Sequence, residues 1–152
     1  MVETTLRWRG GLGFDAHTAR GELVVGSAED APGSVGPKEL VALGLGGCSG
    51  MDVASIFEKM RVKPERFEVE VSGESAAEYP QRMVRFVVRY IIDGAVAPEQ
   101  AQRAVELSLT RYCGVAATLA RSAEVVPEII LNGSVLATLS SSEVAAAAHA
   151  AP

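Results

Sequence analysis

The chain has 152 residues, 48% of them hydrophobic and 22% charged, which is enough apolar surface to close one core and too much for a disordered chain. Its 14 basic and 19 acidic residues leave a formal charge of −5, and no basic stripe offsets it, so nucleic acid is not an expected partner. Met1 to Gly10 alternates polar and apolar residues around Arg7 and Arg9 instead of running from charge into a long apolar segment, and no apolar run of about 18 residues follows, so a cytoplasmic protein away from membranes is expected.

Thr4 to Trp8, Phe14 to Thr18 and Glu22 to Val25 read as short strands between turn signals and predict a small antiparallel sheet. A Gly-, Pro- and Ser-rich loop covers Gly26 to Gly36, and Pro37 opens a helix that runs through Lys38 to Arg61. That helix is apolar nearly all round, the pattern of a buried one. Gly44, Gly46, Gly47 and Gly50 work against it, each by roughly 1 kcal/mol relative to Ala, so close approach of another element or a ligand is expected there.

Arg66 to Ser72 and Met83 to Asp93 follow as strands, the first alternating Phe67, Val69 and Val71 with Glu68, Glu70 and Ser72. Pro98 opens a second helix carrying Ala101, Ala104, Val105, Ser108 and Leu109 at helical spacing. Gly114 breaks it, Val115 to Arg121 form a third helix, and Glu124 to Leu131 form the last strand. One domain is expected over 1–136, with the Ala- and Ser-rich segment 137–152 as a frayed tail.

Cys48 and Cys113 are the two cysteines, each on a helical pattern among small or apolar neighbours. Two readings stay open from the residues alone: buried small hydrophobes, or a redox couple if the fold brings the thiols together. A helix N-terminus favours the thiolate, so Cys113, at the start of the third helix, is helped by backbone N–H groups. Cys48 lies about three turns into its helix, beyond the reach of the dipole, and needs a cation from elsewhere. No Cys-x-x-Cys pair occurs, and His17 and His149 are far from both thiols in sequence, so no metal is expected. The glycine run lacks the Lys of a phosphate loop. Asp52, one turn after Cys48, reads as a structural acid, and Met51, Phe57 and Met60 as core residues that could also line a pocket.

The stretch Gly36-Pro37-Lys38-Glu39 through Gly46-Gly47-Cys48-Ser49-Gly50-Met51-Asp52 to Ile56 closely resembles the signature helix of the OsmC/Ohr family of thiol peroxidases, in the Gly-Gly-Cys-Ser form of its YhfA-like branch. Leu107 to Leu119, around Arg111-Tyr112-Cys113-Gly114-Val115, is a second match, and with the order of elements the resemblance spans residues 3 to 131. It implies an α+β fold in which two chains intertwine as a homodimer, two long central helices packed between antiparallel sheets. It further implies that Cys48 is the peroxidatic thiol and Cys113 the resolving one. The substrate would be a small organic hydroperoxide and the reductant a dithiol or lipoyl-type compound, with no cofactor.

In that family an arginine after the first strand activates the thiolate, held by a glutamate directly after the proline of the helix start. Here Lys38 follows Pro37, and Glu39, one residue later, is the candidate for that catalytic role; no arginine stands at Gly10 to Gly13, although Arg7, Arg9 and Arg20 are near in sequence. This departure favours one rival, a non-enzymatic small-molecule-binding or redox-sensing protein of the same fold; a further alternative is a redox partner that exchanges disulfides without touching peroxide.

Overall fold

A computed structural model describes residues 1–150. The chain forms two compact units, Met1–Val41 and a second that begins at Ala42. The first is the expected antiparallel meander of β1 (Thr4–Gly10), β2 (Gly13–Thr18) and β3 (Gly21–Gly26). Gly10 and Gly11 make its first turn at φ of +109° and +52°, backbone that other residues adopt only with strain. Arg9 pairs with Asp15 at 3.1 Å and Arg7 reaches His17 at 3.5 Å, so both arginines have partners within their own sheet.

Helix α1 (Pro37–Lys59) is continuous through all four glycines. It begins with the Glu39 carboxylate accepting the Gly36 N–H at 2.6 Å, which satisfies a backbone donor at the helix start. It ends with Val62 N–H on the Phe57 carbonyl and Arg61 N–H on that of Glu58, a Schellman closure with Arg61 at φ +57° in the place glycine usually takes. By composition α1 is long and apolar enough to cross a bilayer, with mean hydropathy 1.6 over 18 residues, contrary to the sequence expectation. Leu45, Ser49, Val53, Ile56 and Phe57 are nonetheless buried in protein.

The second unit holds a four-stranded sheet in the order β4 (Arg66–Ser75), β5 (Met83–Asp93), β6 (Glu124–Leu131), β7 (Ser134–Leu136). Its inner face is the alternating set Phe86, Val88, Tyr90 and Ile92, all fully buried, with Val125, Ile129 and Leu131 beside it. Its outer face carries cross-strand ion pairs in register, Glu74–Arg85–Glu124 and Glu70–Arg89–Glu128. β5 and β6 run parallel, so this sheet is mixed where antiparallel pairing was expected. A parallel neighbour requires a crossover, here α2 (Pro98–Leu107), a π-helical turn (Ser108–Tyr112) and α3 (Gly114–Leu119).

The expected frayed tail is mostly helix: α4 (Ser141–Ala150) buries Val144 and Ala148 and packs on β6 and α3. Ser140 and Glu143 form its capping box, the Glu143 carboxylate accepting the Ser140 N–H at 2.7 Å. Ala151 and Pro152, the end of that tail, lie outside the described residues.

The glycines of α1 divide into two groups. A Cβ on Gly46 would stand 2.9 Å from Val71 Cγ2, and one on Gly50 3.2 Å from Val69 Cγ2, so strand β4, not a second helix, approaches closely there. Gly44 and Gly47 have open space in front of them. Gly46→Leu therefore overpacks the contact with β4 and is expected to destabilise the chain by about 1–3 kcal/mol, read as a lower urea midpoint. An unchanged midpoint would show that the helix and strand can part at no cost.

Candidate active site

On the face of α1 that buries Leu45, Ser49 and Val53, the helical repeat also brings Cys48 and Asp52 to the edge of the interior, while Gly47 and Met51 turn outward. Cys48 is half-buried, Ser49 is fully buried, and Asp52, four residues after Cys48, shares its face. Facing them is Ser108, the buried first residue of the π-helical turn. Its hydroxyl lies 3.2 Å from Asp52 Oδ2 and 3.3 Å from the Ser49 carbonyl oxygen, and its single proton serves one acceptor at a time. The same residue's carbonyl accepts the Cys113 N–H at 2.8 Å, closing the π turn. Ser108 thus ties the backbone of Cys113 to the helix that carries Cys48.

The result is a compact cluster. The two sulfurs and a carboxylate oxygen of Asp52 all lie within 4.8 Å of one another. Both thiols are free, Cys48 half-buried and Cys113 only 2% exposed. Tyr90 brings its fully buried hydroxyl up beside Ser49 without meeting hydrogen-bond geometry. Burial pushes its pKa above the ordinary phenol value; Ser49 works in the opposite sense, and Cys113, Asp52 and Cys48 add to the rise.

Cys113 is the N-cap of α3, and its sulfur accepts the Ala116 N–H at 3.3 Å, the backbone help expected of a helix start. That help loses. Burial, joined by the neighbouring Cys48 and Asp52, outweighs it and pushes the Cys113 thiol up to about 12.

The fold brings Cys48 and Cys113 together, and it places Glu39, the third candidate, in the cap of α1, nine residues before Cys48 on the same helix. Met51 is 71% exposed, Phe57 is buried edge-on against Phe67, and Met60 packs on the core. Phe57 also borders a cleft of about 420 Å³ with Val62, Pro64 and Phe67, which includes neither cysteine. Asp52 was legible as a neighbour of Cys48 from its four-residue spacing. Ser108 and Tyr90 carried no such signal, because only the tertiary fold brings them to the thiols.

Against known proteins, the family described as OsmC-like protein matches residues 29–128. The chain belongs to the OsmC-like family. It is 30% identical over 125 residues to Protein YhfA of Escherichia coli (strain K12), covering 82% of this chain and 93% of YhfA. The family fold recurs in a hypothetical protein from Aquifex aeolicus VF5, with TM-score 0.80 and 25% identity over 86% of this chain and 96% of that one. It recurs again in an organic hydroperoxide resistance protein OsmC from Legionella pneumophila, with TM-score 0.66 and 13% identity over 85% of this chain and 96% of that one. The last likeness is one of fold.

The burial of Cys113 has a consequence for stability. The unfolded thiol loses its proton near the ordinary value of 9, whereas the folded one holds it to about 12. Between those values the unfolded state binds fewer protons, so the contribution of this group, complete below pH 9, is lost as pH rises toward 12. Wild-type protein should lose stability above pH 9 with a slope up to about 1.4 kcal/mol per pH unit greater than that of Cys113→Ser, measured by urea unfolding of the reduced proteins. Parallel pH profiles would contradict this burial effect.

Proposed function

We propose that the chain reduces organic hydroperoxides to alcohols, with Cys48 as the attacking thiol and Cys113 as the resolving thiol, acting as a cytoplasmic homodimer recycled by a dithiol or lipoyl-type reductant. The observation that carries this reading is the unequal pair: one thiol partly open, one buried, both sulfurs within 4.8 Å. Peroxide can reach the first, while the second is protected from over-oxidation and waits beside it.

The Cys48 thiolate attacks the distal oxygen of the peroxide. The O–O bond breaks, its electron pair leaves on the alkoxide, and a proton converts that to the alcohol, leaving Cys48 as a sulfenic acid. The sulfur of Cys113, giving up its proton, then attacks the Cys48 sulfur and expels the oxygen as water. The disulfide needs an S–S distance of about 2.05 Å, so the sulfurs must close from their resting separation. An external dithiol returns two electrons and two protons and becomes a disulfide itself. The cycle requires no haem, flavin or metal.

One observation favours the non-enzymatic sensing or binding alternative. Burial, Cys48 and Asp52 all keep the proton on Cys113, and the nearest sequence candidates for an activating shell are occupied elsewhere: Arg9 by Asp15, Arg7 by His17 and Glu39 by the helix cap. Turnover separates the readings. Pre-reduced wild type with a dithiol should consume cumene hydroperoxide faster than hydrogen peroxide, Cys48→Ser should be inactive, and Cys113→Ser should stop after one turnover. Equal consumption by wild type and Cys48→Ser would end the peroxidase reading. No turnover by wild type would hand the lead to the alternative, and activity on a disulfide substrate alone would indicate a redox partner.

The dimer is supported by an uncovered stripe on α1. Leu43 and Met51 are 61% and 71% exposed, and Gly47 between them, at four-residue spacing, faces open space. A second copy of α1 fits such a stripe. Met51→Asp is expected to shift the protein from dimer to monomer in sedimentation velocity; a wild type that sediments as a monomer would exclude the arrangement.

A further inference from the structure

We propose that the Cys48, Cys113 and Asp52 cluster is also a binding site for a thiophilic divalent cation, with Zn²⁺ as the ion it fits. The sequence argued against a metal because the cysteines are 65 residues apart and no histidine is near them, but the fold supplies what the spacing lacks. Two sulfurs and a carboxylate oxygen, all within 4.8 Å of one another, make three convergent ligand atoms. Around a tetrahedral zinc, with bonds of about 2.3 Å to sulfur and about 2.0–2.2 Å to oxygen, such atoms stand roughly 3.5–3.8 Å apart. The contraction required is small.

Two thiolates with one carboxylate select a borderline-soft ion over Mg²⁺ or Ca²⁺, which prefer oxygen ligands throughout. Two of the three ligands are already oriented by neighbours. Ser108 donates toward Asp52 Oδ2, leaving the other carboxylate oxygen for the ion, and the Ala116 N–H points at the Cys113 sulfur, where it would support a bound thiolate. Cys48 and Asp52 are only half-buried, so the fourth position stays open to water or a small ligand. Binding replaces the two thiol protons, which leave to solvent, and no electron moves. The ion and a Cys48–Cys113 disulfide are mutually exclusive, because each uses both sulfurs.

The test is an anaerobic titration of the reduced, metal-free protein with Co²⁺ as a spectroscopic stand-in, followed by displacement with Zn²⁺. One equivalent per chain should give sulfur-to-cobalt charge-transfer absorption and the intense visible bands of a tetrahedral ion, and zinc should bleach both. Cys48→Ser should bind at least tenfold more weakly, with the charge-transfer absorption per bound ion cut to about half, since only the Cys113 sulfur remains. Asp52→Asn, which keeps an oxygen for Ser108, should bind at least tenfold more weakly. Should that variant not fold, wild type supplies the second measurement: zinc should slow iodoacetamide alkylation of both thiols, and prior oxidation to the disulfide should abolish cobalt binding. Absence of a charge-transfer band in wild type, or binding to Cys48→Ser as tight as to wild type, would overturn the proposal. Peroxide turnover is not read in any arm, so failure here leaves the peroxidase reading standing, and a protein inert to peroxide leaves this one standing.

Discussion

The site depends on one buried hydroxyl. Ser108 stands where the crossover between two parallel strands meets α1, and it acts in two directions: its carbonyl fixes the backbone of Cys113, and its hydroxyl holds the turn against Ser49 and Asp52. A buried polar group that gives up its partners costs about 1–3 kcal/mol, so the turn and the helix are held at a defined distance by a penalty for separating. That link acts together with the core, in which Leu45 and Val53 of α1 share one apolar cluster with Leu109, Cys113 and Ala116, and Cys48 packs against it.

Within the cluster, burial and charge work against the helix end. The Ala116 N–H is the kind of donor that stabilises a thiolate, yet Cys113 is shifted the other way, because the desolvation of a nearly inaccessible sulfur and the proximity of Cys48 and Asp52 together exceed one backbone hydrogen bond. Position on a helix is therefore a poor guide to reactivity when burial is not known. The difference between the two thiols is one of access, Cys48 half-buried and Cys113 buried, rather than of local backbone dipoles.

Much of the architecture was legible in the chain. The β4 alternation, Pro37, Pro98 and the three strands of the first sheet report local rules of spacing and capping, and the structure places elements there. The fold class came from the resemblance of the glycine-rich helix around Cys48, and of the stretch around Cys113, to a known family. What escaped was of two kinds. The parallel pairing of β5 with β6 is a tertiary choice that strand composition does not encode. Helix α4 was hidden by its Ala-rich composition, although Ser140 and Glu143 form a capping box that local reasoning had the means to find. For the site, Cys48, Cys113 and Asp52 could be named from sequence, but Ser108 and Tyr90 could not, because each reaches the thiols only through long-range packing. Glu39, expected to stand in for the family's glutamate from one residue later, accepts the Gly36 N–H at the start of α1, a local role that sequence reasoning had not assigned it.

The π-helical turn also gives chain length a meaning that residue identity lacks. A π turn holds one more residue than the α-helical turn it replaces, and each residue advances an α-helix by about 100°. Losing any one residue between Ser108 and Tyr112 would leave a respectable α-helix, with every hydrogen bond made, and would swing Cys113 about a quarter turn away from Cys48. The register of this segment is thus a stored phase angle: exposed positions such as Arg111 and Tyr112 tolerate substitution, while a single deletion is silent in the helix and ruinous at the sulfur.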